Sequence, residues 1–227
     1  HDPDHLVAIW EEASFAGFPR NTPAPGNYLD WKAQNRSFQA MAATAGASFN
    51  LTGDGEPERV AAQKVTQSFF PLLGVQPFIG RVFSPEEEKF DSDKVAVLSY
   101  GLWQSRYGGK REILNSNIQL NGEKYTVVGV MPQGFQFLEK DDRLWVPLPF
   151  NVQETRGAHY LSVVARLKPG VTAGQAQADM DAVMQHISKD YPAETFGGKL
   201  GAVVLPFRDQ VAGNVRGSLL MLVVAVS

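Results

Sequence analysis

Four histidines could in principle bind a metal or shuttle a proton, but His1, His5, His159 and His186 are far apart in the chain. A zinc site of the H-E-x-x-H kind needs two imidazoles one helical turn apart, and no such spacing is present. The acidic run Glu86-Glu87-Glu88 reads as compensation of a helix dipole, and Glu139-Lys140-Asp141-Asp142 as a solvated loop. Neither has the alternating oxygen ligands of a calcium loop. The chain has no cysteine, which removes disulfides, thiolate metal sites and cysteine nucleophiles together. It also has no G-x-S-x-G elbow, no Walker A loop and no G-x-G-x-x-G after a strand. ATP hydrolysis, if coupled to this chain, must therefore take place on another chain or domain. The expectation is a protein that is not an enzyme, with no catalytic, metal or cofactor site and no assignable substrate-binding residues. A hydrolase with dispersed catalytic residues is the weakest alternative, because no nucleophile-base pair can be placed. Asn35-Arg36-Ser37 and Asn50-Leu51-Thr52 match the glycosylation sequon, a pattern common by chance.

The elements around these residues read as a folded globular chain. Its 227 residues are 44% hydrophobic and 20% charged, enough to bury a core without staples. The net charge of -3, with lysines and arginines scattered, offers no basic stripe and excludes nucleic acid as a partner. Leu6 to Trp10 reads as a buried strand and Glu11 to Pro25 as a loop. A helix starts near Asn27, which caps it with Asp30 answering; Trp31, Phe38 and Met41 share its buried face. Ala47 to Leu51 and Arg59 to Thr66 form a hairpin across Gly53 to Pro57. Ser68 to Gly74 is a helical turn stopped by glycine.

Short strand signals dominate from Val75 to Pro149. Ser84, Pro85 and Glu87 open a brief helix. Lys94 to Leu98 is a strand, and Ser99 caps a helix through Leu102, Trp103 and Tyr107 that ends at Gly108-Gly109. Asn121-Gly122 between Asn117–Leu120 and Glu123–Val130 is a strong hairpin signal, and Leu144 to Leu148 is a strand. The α/β pattern then returns with a strand over Tyr160 to Leu167. Thr172 and Gln175 form a capping box. Met180, Val183, Met184, Ile187 and Tyr191 mark the buried helix face, with His186 at its solvent edge. Pro192 stops this helix, and Leu200 to Phe207 is a strand.

The chain's ends carry a further signal. Leu219, Leu220, Met221, Leu222, Val223, Val224, Ala225 and Val226 form an unbroken apolar run. It reads either as a terminal core element or as the membrane-entering start of a helix, with Arg216 near the headgroups. The first residues lack the basic and apolar regions of a signal peptide, and the sequence opens as an excised fragment would.

Phe69-Phe70-Pro71-Leu72-Leu73-Gly74-Val75-Gln76-Pro77, followed by Gly80-Arg81-Val82-Phe83, resembles a signature of MacB-like periplasmic core domains. Further segments match in order: Val95 to Trp103, Leu120-Asn121-Gly122, Tyr125 to Pro132 with Gly134-Phe135, and Leu144 to Leu148. The resemblance covers essentially the whole chain, closest to a subgroup of large permeases without an ATPase in the same chain. It implies an FtsX/MacB-type ABC transporter permease in a bacterial cell membrane, with this domain on the periplasmic side between two of its own membrane helices. It also implies an α+β fold in which a discontinuous porter-like part encloses a mostly β, Sabre-like insertion. The expected boundaries are 1–72 and 156–216 for the porter-like part, 73–155 for the insertion, and 217–227 for the start of a membrane helix. Implied partners are a cytoplasmic ATPase, which alone would use ATP, a second permease copy and a periplasmic adaptor. The implied role is coupling of helix motion to events outside the membrane, with hinges expected at Phe70 to Val75 and Val152 to Tyr160. The alternative is a secreted bilobed binding protein. Gly74, Gly80 and Gly129 are expected where a Cβ does not fit, and Phe83, Trp103 and Trp145 as core anchors.

Overall fold

The computed structural model describes residues 5–53, 55–137, 141–150 and 156–210. His1, Glu139, Lys140 and the run Leu219 to Val226 lie outside them. The strands are β1 (Leu6–Ala13), β2 (Phe18–Asn21), β3 (Phe38–Thr52), β4 (Glu58–Val65), β5 (Ile79–Gly80), β6 (Val95–Leu98), β7 (Asn117–Leu120), β8 (Glu123–Val130), β9 (Leu144–Pro147), β10 (Ser162–Leu167) and β11 (Gly201–Pro206). The helices are α1 (Pro25–Gln34), α2 (Phe69–Leu73), α3 (Tyr100–Tyr107) and α4 (Ala173–Asp190). This is the expected α+β architecture of mixed strands and few helices. Two compact units result: unit 1 from the described residues of His1–Met41 and Thr155–Ser227, and unit 2 from those of Ala42–Glu154.

In unit 1, β1 lies antiparallel between β10 and β11, with Ala8 facing both Val164 and Leu205. β2 pairs with the far end of β1. α4 packs on β11 and α1. Its buried residues Ala176, Met180, Val183, Met184 and Ile187 recur at helical spacing, and Thr172 and Gln175 form the expected capping box. The Trp31 indole donates to Met184 Sδ at 3.1 Å, which fixes α1 against α4.

Four readings of this unit need correction. Glu11 to Pro25 is not one loop, because β1 continues to Ala13 and β2 follows. α1 begins at Pro25, with Ala24 as its N-cap and Asn27 already inside the first turn. The Asn27 side chain is engaged with Glu11, so it is not available to cap. α1 also stops at Gln34, because Asn35 turns extended and its amide donates to the Trp31 and Lys32 carbonyls. Phe38 and Met41 therefore belong to β3. Tyr191 sits at the C-cap of α4, 40% exposed, and not on its buried face.

In unit 2 the pairing closes on itself. β3 pairs with β4, β4 with β9, β9 with β6, β6 with β8, β8 with β7, and β7 returns to β3. Six strands thus make a closed ring, with β5 added beside β8. Phe49, Leu51, Val60, Leu98, Leu120, Tyr125, Val127, Leu144 and Val146 fill it, and Leu102 and Trp103 of α3 join the same core. Alternation along β9 sends Trp145 the other way, into a second cluster with Phe70 and Phe135; Phe70 also stacks on Phe83. Phe83, Trp103 and Trp145 are all buried.

The ring also explains where unit 2 starts. The β3–β4 hairpin, expected within the outer part up to residue 72, supplies two of the six strands and so lies with the middle block. The chain passes between the units at 41/42 and 154/155. Phe70 to Val75 is accordingly internal to unit 2, where Phe70 is buried, and does not join the units. Of the second expected hinge, residues 152–155 lie outside the described residues.

Candidate functional site

The residue types most often used for chemistry are dispersed. His186 is exposed, with Nδ1 3.8 Å from the Asp190 carboxylate one turn on. Glu87 closes on Ser84 N–H at 2.8 Å and on the Arg81 guanidinium at 2.6 and 2.8 Å. Burial alone would raise its pKa; Arg81 and the Ser84 N–H reverse that and hold it below the ordinary carboxylate range. Glu88 Oε2 accepts from Gln67 N–H at 3.4 Å. Among the described residues no group of three or more His, Asp or Glu is placed to hold a metal.

One polar constellation stands apart, in unit 1. Glu11 on β1 is completely buried. Its Oε1 accepts from Ala24 N–H at 2.8 Å and from the Asn27 side-chain amide at 2.7 Å. Its Oε2 lies 2.8 Å from His159 Nδ1 but makes no well-aligned hydrogen bond, and that ring nitrogen also faces the Thr22 carbonyl at 3.2 Å. Burial pushes the Glu11 carboxyl above its ordinary value, against the opposing pull of Ala24 N–H, Asn27 and His159. Arg156 completes the group. One guanidinium nitrogen donates to Asn27 Oδ1 at 2.6 Å, another pairs with Asp30, and the plane lies 3.7 Å over the Tyr191 ring. The Arg156 side chain is only 9% exposed.

The local fold assembles this set. β1 brings Glu11 beneath the start of α1, whose first two turns present Asn27 and Asp30 on one side. The chain returning at Arg156 then covers them. Sequence reasoning singled out Asn27, Asp30, His159 and Tyr191 separately, for other roles, and passed over Glu11 and Arg156. The available signal was a glutamate directly after the apolar run Leu6 to Trp10, where continuation of the strand carries a carboxylate into the core. Chemically, the arrangement can hold a proton and fix backbone; it offers no activated nucleophile.

Open grooves lie elsewhere. One of about 470 Å³ is lined by Gln34, Arg36, Asp179 and His186. Its Asp179 carboxylate is already taken up by the Arg36 and Ser37 N–H groups at 2.7 and 2.9 Å. Another, of about 600 Å³ in unit 2, is lined by Ser105, Arg106, Lys110, Glu112 and Ser116. Arg106 there is held by the Glu56 carbonyl at 2.8 Å. Among the described residues no helix is long and apolar enough to cross a membrane.

Comparison with solved structures shows the same fold in the periplasmic region of MacB from Actinobacillus actinomycetemcomitans. The TM-score is 0.65 at 12% identity, over 93% of this chain and 92% of that one. The extracellular domain of the noncanonic ABC-type transporter YknZ from Gram-positive bacteria is also similar, with a TM-score of 0.62 at 13% identity over 88% and 99% of the two chains. No curated protein sequence matches. A sequence model of the MacB-like periplasmic core domain matches residues 2–183. The chain belongs to the family of MacB-like periplasmic core domains.

Proposed function

We propose that this chain is the extracytoplasmic domain of an ABC-transporter-type permease, and that it relays movement of flanking membrane helices to a substrate or partner outside the membrane. The observation that carries this reading is the register of β1 against β11. Val7 faces Pro206 and Glu12 faces Gly201, so the chain enters and leaves unit 1 side by side at one end of the sheet. A domain set between two neighbouring membrane helices needs that geometry. A pull on either strand reaches the other through one antiparallel ladder. The crossing between the units at 41/42 lies within β3, so on this reading relative motion of the units bends that strand.

On this reading the apolar run Leu219 to Val226 leads into a membrane helix, and ATP is used by a separate cytoplasmic ATPase subunit or domain. A second permease copy and a periplasmic adaptor are compatible partners. The test uses the full-length protein in membranes with its ATPase, carrying Lys189→Cys in unit 1 and Lys124→Cys in unit 2. Both lysines are exposed. Probes on these thiols should report a distance that changes between the nucleotide-free state and ATP with vanadate. An unchanged distance would sink the relay.

A further inference from the structure

The first described residue after the chain re-enters unit 1 is Arg156, and it is not a loop arginine of the usual kind. Its guanidinium is held from three directions at once, by Asn27 Oδ1 at 2.6 Å, by the Asp30 carboxylate and by the face of Tyr191 at 3.7 Å. A planar fork satisfied in this way loses little entropy per bond and resists rotation. Asn27 faces two ways. Its oxygen accepts from Arg156, and its amide nitrogen donates to Glu11 Oε1 at 2.7 Å on β1.

Two further ties follow within five residues. His159 Nδ1 stands between Glu11 Oε2 at 2.8 Å and the Thr22 carbonyl at 3.2 Å. Leu161 N–H donates to the Pro23 carbonyl at 3.1 Å. The returning segment is therefore bonded to α1 and to the chain between β1 and α1, with His159 against Glu11 of β1, before it becomes β10.

We propose that Arg156 is a positioning residue that locks the returning connection onto β1 and α1, so that a displacement of β1 carries the connection with it. This rests on the coupling role proposed above. Without the lock, a shift of β1 would be taken up by slack in the segment from 156 to 161 and would not be passed on. Glu11, buried and bonded to Asn27, is the anchor on the strand side; Tyr191 limits movement on the other.

Hydrogen exchange on the full-length protein reads the lock directly. Arg156→Ala should speed exchange of amides 157–161 by about tenfold or more, and Arg156→Lys by less, because an ammonium can keep one partner but cannot span Asn27 and Asp30 together. The β3–β9 strands of unit 2 should not respond. Unchanged exchange at 157–161, or an equal rise through β1, β10 and α4, overturns the proposal, the second outcome marking a merely structural arginine. If Arg156→Ala does not fold, Asp30→Asn and Tyr191→Leu each remove one tie, and each must raise exchange at 157–161 by about threefold. The Lys189→Cys, Lys124→Cys distance measurement separates this idea from the relay itself. A nucleotide response absent from the otherwise native protein removes the relay while the exchange result still judges the lock. A response that persists unchanged in Arg156→Ala removes Arg156 as the positioning residue while the relay stands.

Discussion

Gly80 and Gly129 face one another across the β5–β8 pair. A Cβ on Gly129 would lie 2.2 Å from the Arg81 carbonyl oxygen, and one on Gly80 2.3 Å from that of Val128. Both neighbours are backbone, so neither can swing aside. Gly122 provides a control, since it has φ +83° with nothing within 4 Å of its would-be Cβ. Gly122→Ala should cost about 1 kcal/mol from the left-handed backbone alone. Gly129→Ala should cost about 2 to 3 kcal/mol through overpacking. Urea midpoints for the two variants test this ordering, and equal shifts would remove the close-approach explanation. The carboxylates make a second residue-scale case. Glu11 is held above the ordinary glutamate value of 4.5 by burial. The folded state therefore keeps its proton at pH values where the unfolded chain has released it. Its contribution is present below 4.5 and lost as pH rises through the folded pKa. Glu11→Gln keeps an acceptor for Ala24 N–H and Asn27 but cannot titrate. Unfolding curves from pH 4 to 8 should show the native chain declining relative to Glu11→Gln with rising pH. Parallel curves would show that Glu11 does not titrate differently in the two states.

Among the described residues β11 is an edge strand, and the way its edge is closed belongs to the element scale. The Gln177 side chain on α4 donates to the Ala202 carbonyl at 2.7 Å and accepts from Val204 N–H at 2.8 Å, standing in for a neighbouring strand. Gln177→Ala should cost about 1 to 2 kcal/mol for the two bonds and speed exchange at Val204. An unchanged Val204 amide would show that solvent replaces Gln177 without loss. The elements themselves were largely legible in the sequence, because their signals are local. The Thr172 box, the Ser99 cap accepting from Leu102 N–H and the Asn121-Gly122 turn with both φ values positive are each set by residues a few positions apart. The readings that missed were settled at long range. Asn27 has the right type to cap α1, but Glu11, sixteen residues away, claims its amide. Arg156 meets Asn27 and Asp30 across more than 120 positions, and no local pattern in the chain encodes that meeting.

At the scale of the whole molecule, the two units differ in how the chain builds them. Unit 1 needs both ends of the sequence, since among the described residues β1 pairs with β10, β11 and β2. Unit 2 is one continuous stretch, 42–154, and its ring closes with its own strands. The closing seam is β3 against β7, where Leu51 faces Leu120 and Thr52 faces Gln119. Beside it Asn121 N–H donates to the Asn50 carbonyl at 2.9 Å, and Asn50 N–H donates to Asn121 Oδ1 at 2.9 Å. A ring leaves few open edges, and this one is filled by a core that includes α3. A chain of residues 42–154 alone should therefore fold cooperatively, giving a dispersed amide spectrum and a single urea transition. Asn121→Ala in that chain should lower the midpoint more than Asn121→Gly. Both lose the bond to Asn50 N–H, but only alanine also strains a residue held at φ +54°. A broad, uncooperative transition for 42–154 would mean that the ring depends on unit 1 for its stability, and the units could not then act as separate bodies in a relay.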